Sequence, residues 1–399
     1  MSGPCGQLLL TGIPGTELDP ETAAVLRRIQ PGGFILFGRN IESATQLRKL
    51  VDDLRDVSDI EPVITIDQEG GRVSRLRLIG NEPPNAQELR DKGDIAAIAQ
   101  HGDITGRLLR LFGFNLDLCP VLDISFDDDA DNSLRGRCYG KSVDEVVRNA
   151  AAFNGAMRAQ GIASCGKHFP GYSAATLDAH HELPRIERTL EELKAEELAV
   201  FQAFIGRRGS PNRPPAEVSA SPTAGCGGRA IEVNRPYLDA VVDSMMICHA
   251  WYPSLEAKKT AASLSHRVVT QLLREEIGFG GLVMTDDLDM GAILNEYGLE
   301  ETIRLAIRAG NDLAMICHRL AAVEQAHKVL QTLPTAQVDR ALASVAEFKR
   351  HMQPPHPFSE EAFRAIDREV WDLRVSVLGP ERAAQRSPED GKRSPVEVY

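Results

Sequence analysis

Gly161-Ile-Ala-Ser-Cys-Gly-Lys-His-Phe-Pro-Gly-Tyr-Ser-Ala-Ala-Thr-Leu-Asp-Ala-His180 begins as a small, apolar, strand-like run and ends its first half in a Pro-Gly turn. Beyond that turn Asp178 and His180 stand two residues apart. Titratable residues gathered where a buried strand gives way to a loop mark an active site on a barrel or an open α/β sheet. The reading predicts that other strands of the chain bring polar ends to the same place.

Outward from this stretch, short β-like runs alternate with amphipathic ones. Strands are expected at Gln7 to Thr11, Gly33 to Phe37, Pro62 to Ile66, Leu116 to Leu122, Ala163 to His168, Ser244 to His249, Gly281 to Thr285 and Asp312 to Cys317. Helical patterns cover Pro20 to Ile29, Ala44 to Val57, Val143 to Ala159, Leu190 to Phe204 and Ser265 to Ile277. Unbroken apolar strands separated by helices indicate a parallel sheet buried on both faces. Eight such units favour a (β/α)8 TIM-type barrel, with a doubly wound open sheet as the alternative.

Leu320 to Leu333, Thr335 to Met352 and Ser359 to Leu373 read as extra C-terminal helices outside the barrel. Residues 206–236, rich in Gly, Pro, Ser and Ala, read as an irregular insertion on the N-terminal face. The charged stretch 379–399 reads as a disordered tail. The expectation is one barrel domain over residues 1–378 and no second domain.

Composition narrows the function. Across 399 residues the formal net charge is -12, which argues against nucleic acid or an anionic membrane as partner. Seven scattered cysteines, several inside apolar runs, suit a reducing compartment. Neither a secretory leader nor a membrane-spanning run is evident, so the expectation is a soluble cytoplasmic protein.

The remaining strand ends are rich in acids and bases. Pro62-Val-Ile-Thr-Ile leads into Asp67, Glu69, Arg72 and Arg75; Leu282-Val-Met-Thr leads into Asp286 and Asp287. Cys248-His249 ends another strand, and Asp123 follows a further one, where a helix N-cap is an equal alternative. Arg135 to Ser142 superficially matches a P-loop, but Arg135 occupies the required first glycine. A zinc hydrolase is the chemical rival, through His168, His180 and His181; Lys167 and the absence of an H-E-x-x-H motif weigh against it. No metal or other cofactor is expected.

Four motifs in order carry a family resemblance: Asp67-Gln-Glu-Gly-Gly-Arg-Val-Ser-Arg75, Gly136-Arg-Cys-Tyr-Gly140, Lys167-His-Phe-Pro-Gly171 followed by Asp178-Ala-His180, and Thr285-Asp-Asp-Leu-Asp-Met290. From Leu8 to Ile316 the chain resembles family 3 glycoside hydrolases, and within them the β-N-acetylglucosaminidases. The resemblance implies a (β/α)8 barrel and a retaining exo-glycosidase. It puts the nucleophile at Asp286 and a histidine acid/base at His180 with Asp178 as its partner. It assigns the sugar, a GlcNAc-containing carbohydrate, to Asp67, Arg75, Arg137, Lys167 and His168. The physiological role it implies is release of terminal β-GlcNAc from muropeptide fragments in cell-wall recycling.

The alternatives for Arg75 and Arg137 are structural ion pairs, and for His168 a satisfied core histidine; His181 reads as an accidental neighbour. Tyr172-Ser173 departs from the family's His-Gly. A β-glucosidase, a GlcNAc phosphorylase that admits phosphate beside a neutral imidazole, and a non-catalytic sugar-binding barrel remain as competing functions. Oligomeric state is not legible.

Overall fold

The computed structural model describes residues 4–129, 133–174, 183–205 and 241–387. All eight expected strands are present: β1 (Leu9–Thr11), β2 (Gly33–Leu36), β3 (Val63–Ile66), β4 (Leu116–Asp117), β5 (Ala163–Phe169), β6 (Ser244–Ile247), β7 (Leu282–Asp287) and β8 (Leu313–Ile316). Each pairs in parallel with its sequence neighbours. Leu9, Leu10 and Thr11 of β1 stand opposite Ala314, Met315 and Ile316 of β8. That last pairing closes the barrel and excludes the open sheet. Every residue of β2, β3, β6 and β8 is buried, which is why these strands read as unbroken apolar runs.

Two strands differ in extent from the expectation. The β4 ladder stops at Asp117 rather than reaching Leu122, because Pro120 has no N–H to donate. The chain still follows β5: the Leu122 N–H donates to the Lys167 carbonyl at 2.6 Å. β7 continues two residues beyond Thr285, so Asp286 and Asp287 lie within the strand and alternate across it.

Caps set the helix starts. Asp19 accepts the N–H groups of Glu21 and Thr22 ahead of Pro20–Ile29, and Ser43 with Gln46 forms a capping box on Ala44–Asp56. Ser142 caps Val143–Ala159. The expected single helix from Leu190 to Phe204 is two, Leu190–Ala195 and Glu197–Ala203, broken at Glu196. Adjacent helical residues point about 100° apart; the break lets Glu196 and Glu197 both pair with Arg188.

The C-terminal helices divide in role. Leu320–Leu330 packs between Pro20–Ile29 and Leu299–Ala309, and is the eighth helix of the barrel wall rather than an addition to it. Thr335–Lys349 reaches the barrel floor, where Lys349 Nζ donates to Gln7 at 2.7 Å. Glu360–Leu378 lies on Ile95–Phe112. Past Gly379 the described chain continues through the short helix Pro380–Ala383. The buried Arg374 guanidinium needs acceptors, and the carbonyls of Ala383 and Gln385 supply them at 3.0 and 2.5 Å. Ser387 then donates to Glu82. Residues 388–399 and the expected insertion at 206–236 lie outside the described residues. No described helix is long and apolar enough to cross a membrane.

Candidate active site

Because all strands run in parallel, their polar C-terminal ends meet at one mouth. After β3 the chain folds into a short antiparallel ribbon, Gln68–Gly70 against Val73–Ser74. Gly70 and Gly71 take φ of 113° and 55°, values open to glycine, and a Cβ on Gly70 would sit 2.4 Å from the Pro84 carbonyl. Lys167, from β5, lies between Asp67, just ahead of this ribbon, and Glu69 within it. Its Nζ is 2.7 Å from Asp67 Oδ1 and 2.6 Å from Glu69 Oε1. Arg137 grips Glu69 with two bonds of 2.7 Å, and Arg75 stands 3.5 Å from Asp67 Oδ2.

All five side chains are buried. Burial alone would raise the carboxyls and lower the lysine. The mutual charges reverse this: Arg137 and Lys167 hold Glu69, and Lys167 and Arg75 hold Asp67, below the usual carboxylate range. The same pairs raise Lys167. The cluster is ionised throughout, so it offers fixed donors and acceptors at neutral pH.

Beneath it, fully buried Asp117 behaves oppositely. Its Oδ1 accepts the Gln68 N–H at 3.0 Å, while Oδ2 has no partner among the described residues. Burial pushes its carboxyl up to about 8 from an ordinary 3.8. A folded-state pKa above the unfolded one stabilises fully below about pH 4 and loses that contribution as pH climbs through about 8. Asp117→Asn, which cannot titrate, is therefore expected to match wild type near pH 4 and exceed it near pH 8, on the order of a few kcal/mol. Urea midpoints at the two pH values check this; an equal variant-minus-wild-type difference at both would contradict it.

His168 follows Lys167 on β5. Its Nδ1 lies 2.7 Å from Asp123 Oδ2, and Asp123 also accepts the N–H groups of His168 at 3.1 Å and Tyr172 at 2.6 Å. Asp123 is thus no helix cap but a buried clasp for His168. It leaves Nε2 as the ring's remaining polar atom. The Tyr172-Ser173 departure has a structural role: the Ser173 hydroxyl accepts the Ile124 N–H at 2.9 Å, and the Tyr172 ring lies beside His168. A glycine at 173 has no such acceptor.

On β7, strand alternation separates the two aspartates. Asp286 is half-buried, and its Oδ1 accepts the Asp287 N–H at 2.8 Å. Asp287 is buried and turned towards β8, where Oδ1 accepts the N–H groups of Asp289 and Cys317 at 2.9 and 3.2 Å. His249, at the end of β6, bonds Ser263 through Nδ1 and the Asp287 carbonyl through Nε2. Burial raises the Cys248 thiol, and the charges of Asp123 and Asp286 add to that rise.

Of the predicted site residues, the structure brings Asp67, Arg75, Arg137 and Lys167 into one cluster, with His168 alongside on β5 and Asp286 on the same rim. Asp178, His180 and His181 lie outside the described residues. Arg137 and Arg75 are held in ion pairs, as the structural alternative anticipated, though both belong to the mouth. Glu69, Asp117 and Asp123 were not singled out for these roles. Glu69 was legible in principle, as the second acid of a strand end with two arginines nearby.

The family description "Glycosyl hydrolase family 3 N terminal domain" matches residues 4–212 and 232–348. The chain belongs to glycosyl hydrolase family 3. Among its relatives is a β-hexosaminidase from Vibrio cholerae serotype O1, 34% identical over 347 residues, 85% of this chain and 92% of the relative. A β-hexosaminidase from Pseudomonas aeruginosa is 29% identical over 83% of this chain and 89% of its own length. A solved family 3 β-N-acetylglucosaminidase from Paenibacillus sp. str. FPU-7 superposes with a TM-score of 0.77 at 28% identity, covering 94% of this chain and 68% of that one. NagZ from Neisseria gonorrhoeae gives 0.73 at 25% identity, covering 94% and 98%.

Proposed function

We propose that the protein is a retaining exo-β-N-acetylglucosaminidase acting on terminal β-GlcNAc. One observation carries the reading: a half-buried carboxylate, Asp286, stands at a mouth where Lys167 and Arg137 are already paired with Asp67 and Glu69. The β-hexosaminidase relatives support the same substrate class.

In the proposed reaction an Asp286 oxygen attacks the anomeric carbon as the bond to the leaving oxygen breaks. The His180 imidazolium gives its Nε2 or Nδ1 proton to that oxygen, and Asp178 fixes the ring and favours its charged form. Water then attacks the glycosyl-aspartate, gives its proton to the neutral imidazole and releases the sugar with inverted-twice, hence retained, configuration. Lys167, Arg75 and Arg137 donate to sugar oxygens, while Asp67 and His168 Nε2 accept. Charged groups that meet hydroxyls reject analogues lacking them. Carboxylate, imidazole and water balance the reaction without a cofactor.

We place the activity in one barrel domain extending to about residue 378, with muropeptide fragments as substrate in cell-wall recycling. The six described cysteines are free and buried, which supports a cytoplasmic setting. Hydrolysis of aryl β-GlcNAc against aryl β-glucoside tests the substrate; a preference for the glucoside overturns it. His180→Ala is expected to lose about 10²–10⁴-fold in kcat/KM on sugars with poor leaving groups. The loss should shrink as the leaving group becomes more acidic. A loss independent of leaving group would remove His180 from the acid role.

A further inference from the structure

The described residues give the Asp286 carboxylate one hydrogen bond, from the Asp287 N–H. Whatever fixes residue 287 therefore aims Asp286. We propose that Arg39, His318 and Asp287 form a directional polar chain across the β1–β8 seam that positions Asp286, resting on the reading of Asp286 as nucleophile.

The direction follows from donor chemistry. Arg39 NH1 lies 3.1 Å from His318 Nδ1, and a guanidinium has only donors, so Nδ1 accepts. The ring proton is then on Nε2, which stands 3.2 Å from Asp287 Oδ2. Asp287 Oδ1 already takes two backbone N–H groups. Asp287 thus takes two N–H donors at Oδ1 and has the protonated edge of the His318 ring in polar contact, outside hydrogen-bond geometry, at Oδ2. His249 holds the carbonyl of the same residue from the β6 side.

Each member is itself braced. His318 stacks on Phe37 at 5.4 Å, and the Arg39 guanidinium lies over the same ring at 4.5 Å. Arg39 also donates to the Cys317 carbonyl at 2.6 Å and the Ile13 carbonyl at 3.1 Å. The chain therefore links loops after β1, β2 and β8 to the last residue of β7. Asp287, Cys317 and His318 also bring three metal-type donor atoms within 4.8 Å of one another. A metal at Nε2 needs the lone pair there and the proton on Nδ1, facing Arg39 N–H, so the neighbourhood is built for hydrogen bonding instead.

An amide in place of the Asp287 carboxylate must oppose a donor to a donor whichever way it turns. Asp287→Asn in the full chain is therefore expected to lower kcat on aryl β-GlcNAc about 10²-fold, the scale of an approximately 1 Å misplacement, with KM within threefold. Adding Arg39→Met frees His318 to carry its proton on Nδ1 and accept at Nε2. The double variant is expected to be at least about tenfold more active than Asp287→Asn alone. Multiplicative losses, or an undiminished kcat in Asp287→Asn, overturn the proposal.

Should Asp287→Asn fail to fold by thermal melt, His318 supplies the test. His318→Gln keeps an N–H near the Nε2 position and should be at least about tenfold more active than His318→Leu; equal activities overturn the chain. Asp286→Ala, assayed in parallel, separates the two ideas: activity surviving there defeats the nucleophile reading, whatever the Asp287 and His318 variants do.

Discussion

Asp286→Ala is expected to lower kcat by about 10⁴-fold or more with little change in stability. Loss of a covalent nucleophile removes the route that divides one difficult displacement into two. Asp286 is half-buried at a strand end and belongs to none of the ion pairs of the cluster, so its removal leaves no buried cation behind. Azide offers a second readout. A small anion entering the space left by the carboxylate would attack the anomeric carbon directly and yield a glycosyl azide of inverted configuration. Thermal melts within about 1 kcal/mol of wild type together with the lost turnover fit the assignment. If the same loss appears instead in Asp287→Ala while Asp286→Ala remains active, the two neighbours have been exchanged.

Lys167→Met is expected to cost both folding and activity. Its ammonium separates two buried carboxylates at 2.7 and 2.6 Å, and breaking such a pair costs about 3–5 kcal/mol. The pH dependence tests the cause. Asp67 and Glu69 have depressed pKa values in the folded protein, so their contribution is present above the ordinary range near 4 and disappears as pH falls through the depressed values. Without Lys167 those depressions shrink, so the variant's deficit should be largest at neutral pH and smaller near pH 3. Denaturant midpoints at pH 7 and pH 3 measure this. A deficit constant across that range would make packing of the butyl stem the cause, not charge.

Much of this was legible in the sequence because two separate patterns agreed. Continuous apolar runs placed all eight strands, and the motif-bearing strand ends located the mouth. What period alone did not reveal was ring closure, which depends on residues 9–11 meeting residues 314–316 across the length of the chain. Strand limits moved where local chemistry overruled pattern: Pro120 shortened β4, and the pairing of Met315 with Asp287 extended β7. The buried partners were least visible. Asp123 reads equally as a helix cap until His168 and Tyr172 are folded onto it. His318 carries no motif, and its relation to Asp287 exists only once β7 and β8 are neighbours.

The pairing of β1 with β8 also bears on how the polypeptide is made. The first strand emerges from the ribosome more than 300 residues before its second partner, so one margin of the growing half-ring stays unzipped for most of synthesis. An open strand margin invites association with other chains. Its three residues are few, and the short length limits that hazard until translation passes Ile316 and the wall can be completed.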